Sequence, residues 1–427
     1  MREMKDSGIE WIGNIPATWE RCKIKNVISS IGSGTTPTSS NIDYYNSEDI
    51  CWIQSGDLYK TSYISNTAVS LSAKALHLSA LQIYAAPFIV VAMYGASVGN
   101  IAISTIDACS NQACCCIKPD NNNDLKFMYY WLSMCKIDFL SQSIGGGQPN
   151  ISQSKIKNQF YYRPQLSEQK VIANFLDSKC SEIDAISADI QKEIEILEQC
   201  KRSVITEAVT KGLNPDVEMK DSGIEWVGNV PDHWGVLANK YVMKKRKDIC
   251  TKWNGENVLS LTMNGVIVRD LDNPVGKMPT TFDGYQFVYS GNLLMCLFDY
   301  DVTPRCVGIV KNAGVTSPAY SRFELKENAT LEYFYYYYLM IDFTKELLHL
   351  AKNLRHSFTE EQLGALKVPL PPLDEQKNIA TYLDSKCKEI ESVIASKKQQ
   401  LEVLDSYKKS LIYEYVTGKK EVPMYES

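Results

Sequence analysis

Histidine is scarce in this 427-residue chain: His77, His233, His349 and His356 are the only four, and none is spaced for a catalytic triad or a metal site. They read as satisfied or exposed side chains, with His356 alone placed where a ligand could meet it. Long apolar runs are also missing. The longest, near residues 85–93, falls well short of the ~20 residues that span a bilayer. The opening MREMKDSG carries no apolar signal region, so the expectation is a cytoplasmic bacterial or archaeal protein with no membrane partner. Thirteen cysteines are present, but never as C-x-x-C. That excludes zinc-ribbon spacing, and an odd number without a secretory signal argues for reduced, mostly buried thiols. The phosphate-loop and H-E-x-x-H patterns are absent, Gly32 and Gly34 lack the third glycine of a dinucleotide fingerprint, and no [DN]-P-P-[FYW] run occurs. Pro119, Asp120, Asp124 and Lys126 imitate a nuclease pattern with a gap of only three residues. Asp124 reads better as the acid that opens a helix.

What the chain does hold is a repeat. Residues 4–19, MKDSGIEWIGNIPATW, return as residues 219–234, MKDSGIEWVGNVPDHW, offset by 215. Residues 166–183, LSEQKVIANFLDSKCSEI, return as residues 373–390, LDEQKNIATYLDSKCKEI, offset by 207. A unit of that size is a domain with its connector, not a solenoid repeat. Two like copies imply two similar sites at a fixed separation.

Each second motif opens a 44-residue stretch, 167–210 or 374–417, with a stripe of apolar residues at three- and four-residue spacing. The first runs through Ile172, Leu176, Ile183, Ile186, Ile190, Leu197, Val204 and Ala208. The second runs through Ile379, Leu383, Ile390, Val393, Leu401, Leu404, Leu411 and Tyr415. This period predicts two long helices, each about 66 Å, packed antiparallel as a coiled coil. Ser167 and Asp374 are the expected N-caps, and Gly212 and Gly418 the expected stops. Lys179, Lys386 and Lys397 lie on the stripes and are expected to fix register. The helices also carry the charge. Residues 167–210 hold 5 basic and 9 acidic side chains, residues 374–417 hold 7 and 8, and the whole chain is −5. The remainder is therefore neutral, and a local basic face stays compatible with the total.

Between the repeated parts lie two divergent domains with one order of elements. Strands are expected at 88–94, 101–104 and 113–118 in the first, and at 293–298, 307–310 and 320–325 in the second. A Tyr-rich helix follows at 125–140 or 331–350, then a polar loop, a short helix and a Pro-bounded strand. The expected fold is α+β (mixed α/β): two globular domains separated by two long antiparallel helices, in a pseudo-two-fold repeat. The divisions are residues 1–19, 20–163, 164–213, 214–234, 235–370 and 371–427.

The candidate binding residues come from comparing the copies. From the polar loop onward the 207-residue offset has no gap, so Gln148 falls on Arg355, and Asn150 on Ser357 beside His356. Each loop precedes a short helix, and in a major groove Gln suits adenine while Arg suits guanine. Tyr94 and Ser97 follow a strand at a glycine turn, Arg305 lies in the equivalent loop, and Gln112 precedes the third strand. Gln54 and Asn264 end earlier apolar runs. Lys244, Lys245, Arg246 and Lys247 could hold phosphates, or form a solvated charge run.

The openings GIEWIGNIP and GIEWVGNVP, the helix starts PQLSEQKVIANFLDSKCSEID and PPLDEQKNIATYLDSKCKEIE, and the tandem layout resemble the specificity subunit of type I restriction–modification systems across essentially the whole chain. The Gly-rich loop at 145–147 becomes Lys-Asn-Leu in the second copy, a departure from the pattern. The resemblance implies target-recognition domains that each read half of a bipartite site in double-stranded DNA, and helices that set the unread spacer. It implies no catalysis in this chain. It also implies two methyltransferase subunits that bind S-adenosylmethionine, and motor–nuclease subunits that use ATP and Mg. The repeated MKDSGIEW segments would each lie beside a helix end. The alternatives are a coiled-coil scaffold that binds only proteins, and a fragmentary nuclease using Asp120 and Asp124.

Overall fold

The computed structural model describes residues 2–59, 61–78, 81–141, 149–274, 276, 278–351 and 357–423. The protein folds into two compact units, Met1–Ile190 with Gln399–Ser427, and Gln191–Lys398. Each unit contains one divergent domain, one MKDSGIEW segment and part of each long helix.

In the first domain, strands form at Ile28–Ser33 (β1), Tyr45–Ile53 (β2), Tyr63–Ile64 (β3), Ser70–Leu71 (β4), Phe88–Ala92 (β5), Ile101–Ser104 (β6), Ala108–Ser110 (β7) and Cys114–Pro119 (β8). Five join in the order β1-β8-β5-β6-β3, and three in the order β7-β2-β4. Every residue of β5 and β6 is buried. Such strands read as unbroken apolar runs because both sheet faces are covered. One cover is the Tyr-rich helix Leu125–Met134 (α1), started by Asp124, whose carboxylate accepts the Phe127 amide at 2.9 Å. Asp124 is thus a helix cap, as its position in the sequence suggested. The helix is interrupted at Cys135 and resumes over Lys136–Ser141, so the expected 125–140 span is helical in two pieces. A short helix, Gln153–Asn158 (α2), follows the polar loop.

The second domain repeats this with Met243–Arg246 (β9), Val258–Thr262 (β10), Gly265–Val268 (β11), Gln286–Val288 (β12), Leu293–Cys296 (β13), Val307–Ile309 (β14), Gly314–Thr316 (β15) and Tyr320–Leu325 (β16). The sheets run β9-β16-β13-β14 and β11-β10-β15-β12. Its Tyr-rich helix breaks at Thr344, where Lys345 takes a left-handed φ of 53°.

The long helices are Leu166–Lys211 (α3) and Leu373–Val416 (α4). Both begin one residue before the expected caps, so Ser167 and Asp374 lie inside the first turn. Antiparallel pairing shows within each unit. In the first, Lys408 meets Asp184 at 2.6 Å and Phe175 stacks on Tyr415 at 4.5 Å. In the second, Lys201 bonds Glu391 and Lys397 bonds Glu193. Lys179 and Lys386 instead pair with Glu182 and Glu389, three residues along their own helices. The seam also departs from the expected stripe. Ile194 and Ile394 are buried, whereas Ile186 and Val393 are 49% and 45% exposed. From Ile183 and Ile390 the 4-3-4 step, not 3-4, keeps the seam facing its partner.

Candidate nucleic-acid interface

A buried glutamine ties each domain to its long helix. Gln169 accepts the Asp124 amide at 2.8 Å and donates to the Pro164 carbonyl at 2.9 Å. Gln376, its equivalent, accepts the Thr330 amide at 2.8 Å and donates to Pro371 at 2.9 Å and Asn328 at 3.0 Å. Each thereby satisfies an amide at the start of the Tyr-rich helix that the helix itself cannot. One helical face further along, Asp177 accepts from Lys126, Tyr63 and Tyr130, and Asp384 from Tyr336. Burial pushes the Asp177 carboxyl up, but its hydrogen bonds outweigh that and hold it below its usual value. These four residues were not singled out from the sequence, although each recurs at the 207-residue offset inside the repeated motif.

The repeated segments seat the opposite helix ends. Gly418, φ 68°, lies against Pro16 and Trp19, and Gly212, φ 76°, against Pro231 and Trp234. The Tyr413 hydroxyl donates to the carbonyls of Trp11 and Ile12, both at 3.0 Å. Glu168 accepts from Trp19 at 3.3 Å, and Glu375 faces His233 at 2.8 Å.

With the frame fixed, the ends of several strands make one polar rim in the first domain. β2 and β7 run parallel with Ile53 opposite Ser110, so Gln54 and Gln112 leave the sheet at the same end. The Asn111 amide donates to Ile53 at 3.0 Å and Met93 to Ala113 at 2.7 Å, which brings in Tyr94. Gly95 then donates to Pro149 at 2.9 Å and Ile151 to Met93 at 2.8 Å, and Tyr94 bridges Asn150. The turn Gly95–Ser97 lies against the turn Ser55–Leu58. Gln54, Tyr94, Ser97, Gln112 and Asn150 are therefore neighbours, and none is buried. Thr36 donates to Gln112. Gly34 is not a phosphate glycine: a Cβ there would sit 1.5 Å from the Ser110 carbonyl oxygen.

In the second domain Phe358 donates to Leu297 at 2.8 Å, the counterpart of Ile151 and Met93, and this sets Ser357 where Asn150 stands. Asp299, φ 46°, takes the left-handed turn that Gly95 makes. Asn264 tips the β10–β11 hairpin, its amide donating to Thr262 Oγ1 at 3.2 Å. Arg305 departs from expectation. Its side chain is 14% exposed, with Nε 3.9 Å from buried Asp342 and a bond to the Tyr335 hydroxyl at 3.5 Å. It holds the loop from beneath rather than lining a rim. Lys244, Lys245 and Arg246 lie on β9 and Lys247 just beyond it. Arg246 bonds Glu324 at 2.7 Å and Lys245 faces Glu360 at 3.5 Å. Lys240, Lys244, Lys245 and Lys326 line one groove of about 1050 Å³ that reaches Thr359. Gln148, Arg355 and His356 lie outside the described residues. Among the described residues no cluster of His, Cys, Asp and Glu could hold a metal ion, and no helix is long and apolar enough to cross a membrane.

Duplicated α+β domains, each clamped to a shared pair of long helices and carrying a polar rim, define a tandem recognition architecture. A sequence profile for the type I restriction modification DNA specificity domain matches residues 16–196 and 302–403. The match covers more than half of the chain, which therefore belongs to the type I restriction–modification specificity subunit family. Among relatives, the type I restriction enzyme MjaVIII specificity subunit of Methanocaldococcus jannaschii is 27% identical over 69% of this chain and 70% of its own length. The putative MjaX specificity subunit of the same organism is 29% identical over 64% of this chain and 62% of its own. A solved chain from work on complex assembly and conformational transition of the type I R-M system shares the fold. Its TM-score is 0.69 at 12% identity, over 95% of this chain and 99% of that one.

Proposed function

We propose that each divergent domain reads one half of a bipartite site in double-stranded DNA, and that the long helices set the unread spacer. The observation that carries this reading is the repetition of the same clamp, Gln169 or Gln376, beneath rims whose residues differ. A constant frame under variable polar residues suits two half-sites of different sequence. The chain has no catalysis of its own. It docks two methyltransferase subunits, which bring S-adenosylmethionine, and motor–nuclease subunits, which bring ATP and Mg. Apolar side chains left exposed on the helices support docking: Ile186, Val403 and Tyr407 in one unit, Ile196 and Val393 in the other. The net charge of −5 is consistent with partners supplying much of the non-specific phosphate affinity.

The test is DNA binding by the purified chain with its methyltransferase partner, across a panel of sequences and salt concentrations. Binding that falls with salt yet still discriminates sequence is expected. Salt-dependent binding without discrimination would favour the protein-scaffold reading.

A further inference from the structure

Among the described residues, the second domain carries an element that the first lacks. In both domains a parallel strand pair marks the rim: Ile53 opposite Ser110 in the first, Leu259 opposite Thr316 in the second. By that register Ser260 is the counterpart of Gln54. Past Gln54 the first domain turns at once, because Asp57 caps the Gln54 amide at 2.8 Å and starts the turn Ser55–Leu58. Past Ser260 the second domain keeps going. β10 runs on through Leu261 and Thr262, turns at Met263 and Asn264, and returns as β11. Three further residues at ~3.3 Å each carry the tip about 10 Å beyond the position of Gln54.

The tip is built firmly. Thr262 pairs with Gly265, φ 88°, and its hydroxyl donates to the Gly265 carbonyl at 3.0 Å. Leu261 and Val266 hold the inner face down on Gly308, where a Cβ would come within 2.8 Å of both side chains. Apolar groups are nonetheless left open on this hairpin: Met263 at the turn is 58% exposed, Ile267 is exposed on the outer face, and Val268 is exposed on the opposite face. Exposed apolar side chains beside a polar tip mark a binding surface.

Resting on the reading of this domain as a half-site reader, we propose that the β10–β11 hairpin is a second-domain specificity element. Its tip enters the major groove, where Asn264 reads an adenine and Met263 touches a neighbouring thymine methyl. The groove, about 12 Å wide, admits a two-stranded ribbon. Asn pairs bidentately with adenine N6 and N7, and the thymine methyl is the apolar feature of that groove. The second half-site therefore contains an A·T pair read by a contact that has no counterpart in the first.

The test uses the full chain with its methyltransferase partner in cells, mapping methylated adenines for the parent, Asn264→Ala and Met263→Ala. For Asn264→Ala the expected result is an unchanged first half-site and a second half-site that accepts other bases at one A·T position. Methylation of sites substituted there should rise about tenfold. The intact first half-site reports a folded, assembled chain. Met263→Ala should weaken the preference for thymine at an adjacent position. The proposal is overturned if both variants keep the parental motif, or if methylation falls equally at every site, which would make the hairpin a protein contact. A parent without any bipartite motif would instead overturn the recognition reading itself, and the hairpin proposal with it.

Discussion

A single glutamine does the joining in each half of the molecule. Gln169 and Gln376 are fully buried, and each satisfies a helix-start amide and at least one carbonyl. Alanine would leave those groups buried and unpaired, at about 1–3 kcal/mol. Gln376→Ala should lower stability by that amount in urea unfolding; a change below ~0.5 kcal/mol, the range of ordinary surface substitutions, would show that the clamp is incidental. The cysteines give a second check. Burial pushes the Cys109 thiol up to about 11 and Cys116 to about 12, which leaves them protonated and unreactive. Cys200 alone is exposed. Native thiol labelling should modify Cys200 fast, with the buried thiols reacting only on unfolding. Equal rates for several sites would contradict the packing described.

Among elements, the long helices were the most legible in the sequence and still shifted in detail. Their length and the stops at Gly212 and Gly418 follow from period and composition. The seam did not, because Ile186 and Val393, three residues past Ile183 and Ile390, offer an apolar step that competes with the four-residue step leading through Ile194 and Ile394. Only pairing between helices decides between them. The same limit applies to the lysines: a charge on a stripe does not reveal whether its acid lies across the seam, as for Lys397, or three residues along, as for Lys179. If the helices are the ruler, removing one heptad from both should shorten the unread spacer by about 3 base pairs, since seven residues span ~10.5 Å and base pairs are 3.4 Å apart. Both half-sites should survive. Methylation mapping that returned altered half-sites and the old spacer would refute the ruler.

The whole molecule is a duplicated frame with two different faces. The frame was readable because it is written twice, and the same duplication placed Asn150 against Ser357. The rim of the first domain was legible as a set of loop residues but not as neighbours, since the parallel pairing of β2 with β7 brings together positions more than fifty residues apart. Arg305 was misleading for a related reason: its buried partner Asp342 comes from a helix that the loop sequence does not disclose. The claim that joins these observations is that one chain reads two separated half-sites. Mapping methylated adenines in DNA from cells that carry this subunit and its methyltransferase partner tests it most directly. The predicted result is one bipartite motif, two specified segments flanking a spacer of fixed length with any sequence. A single continuous motif, or methylation without a motif, would contradict it.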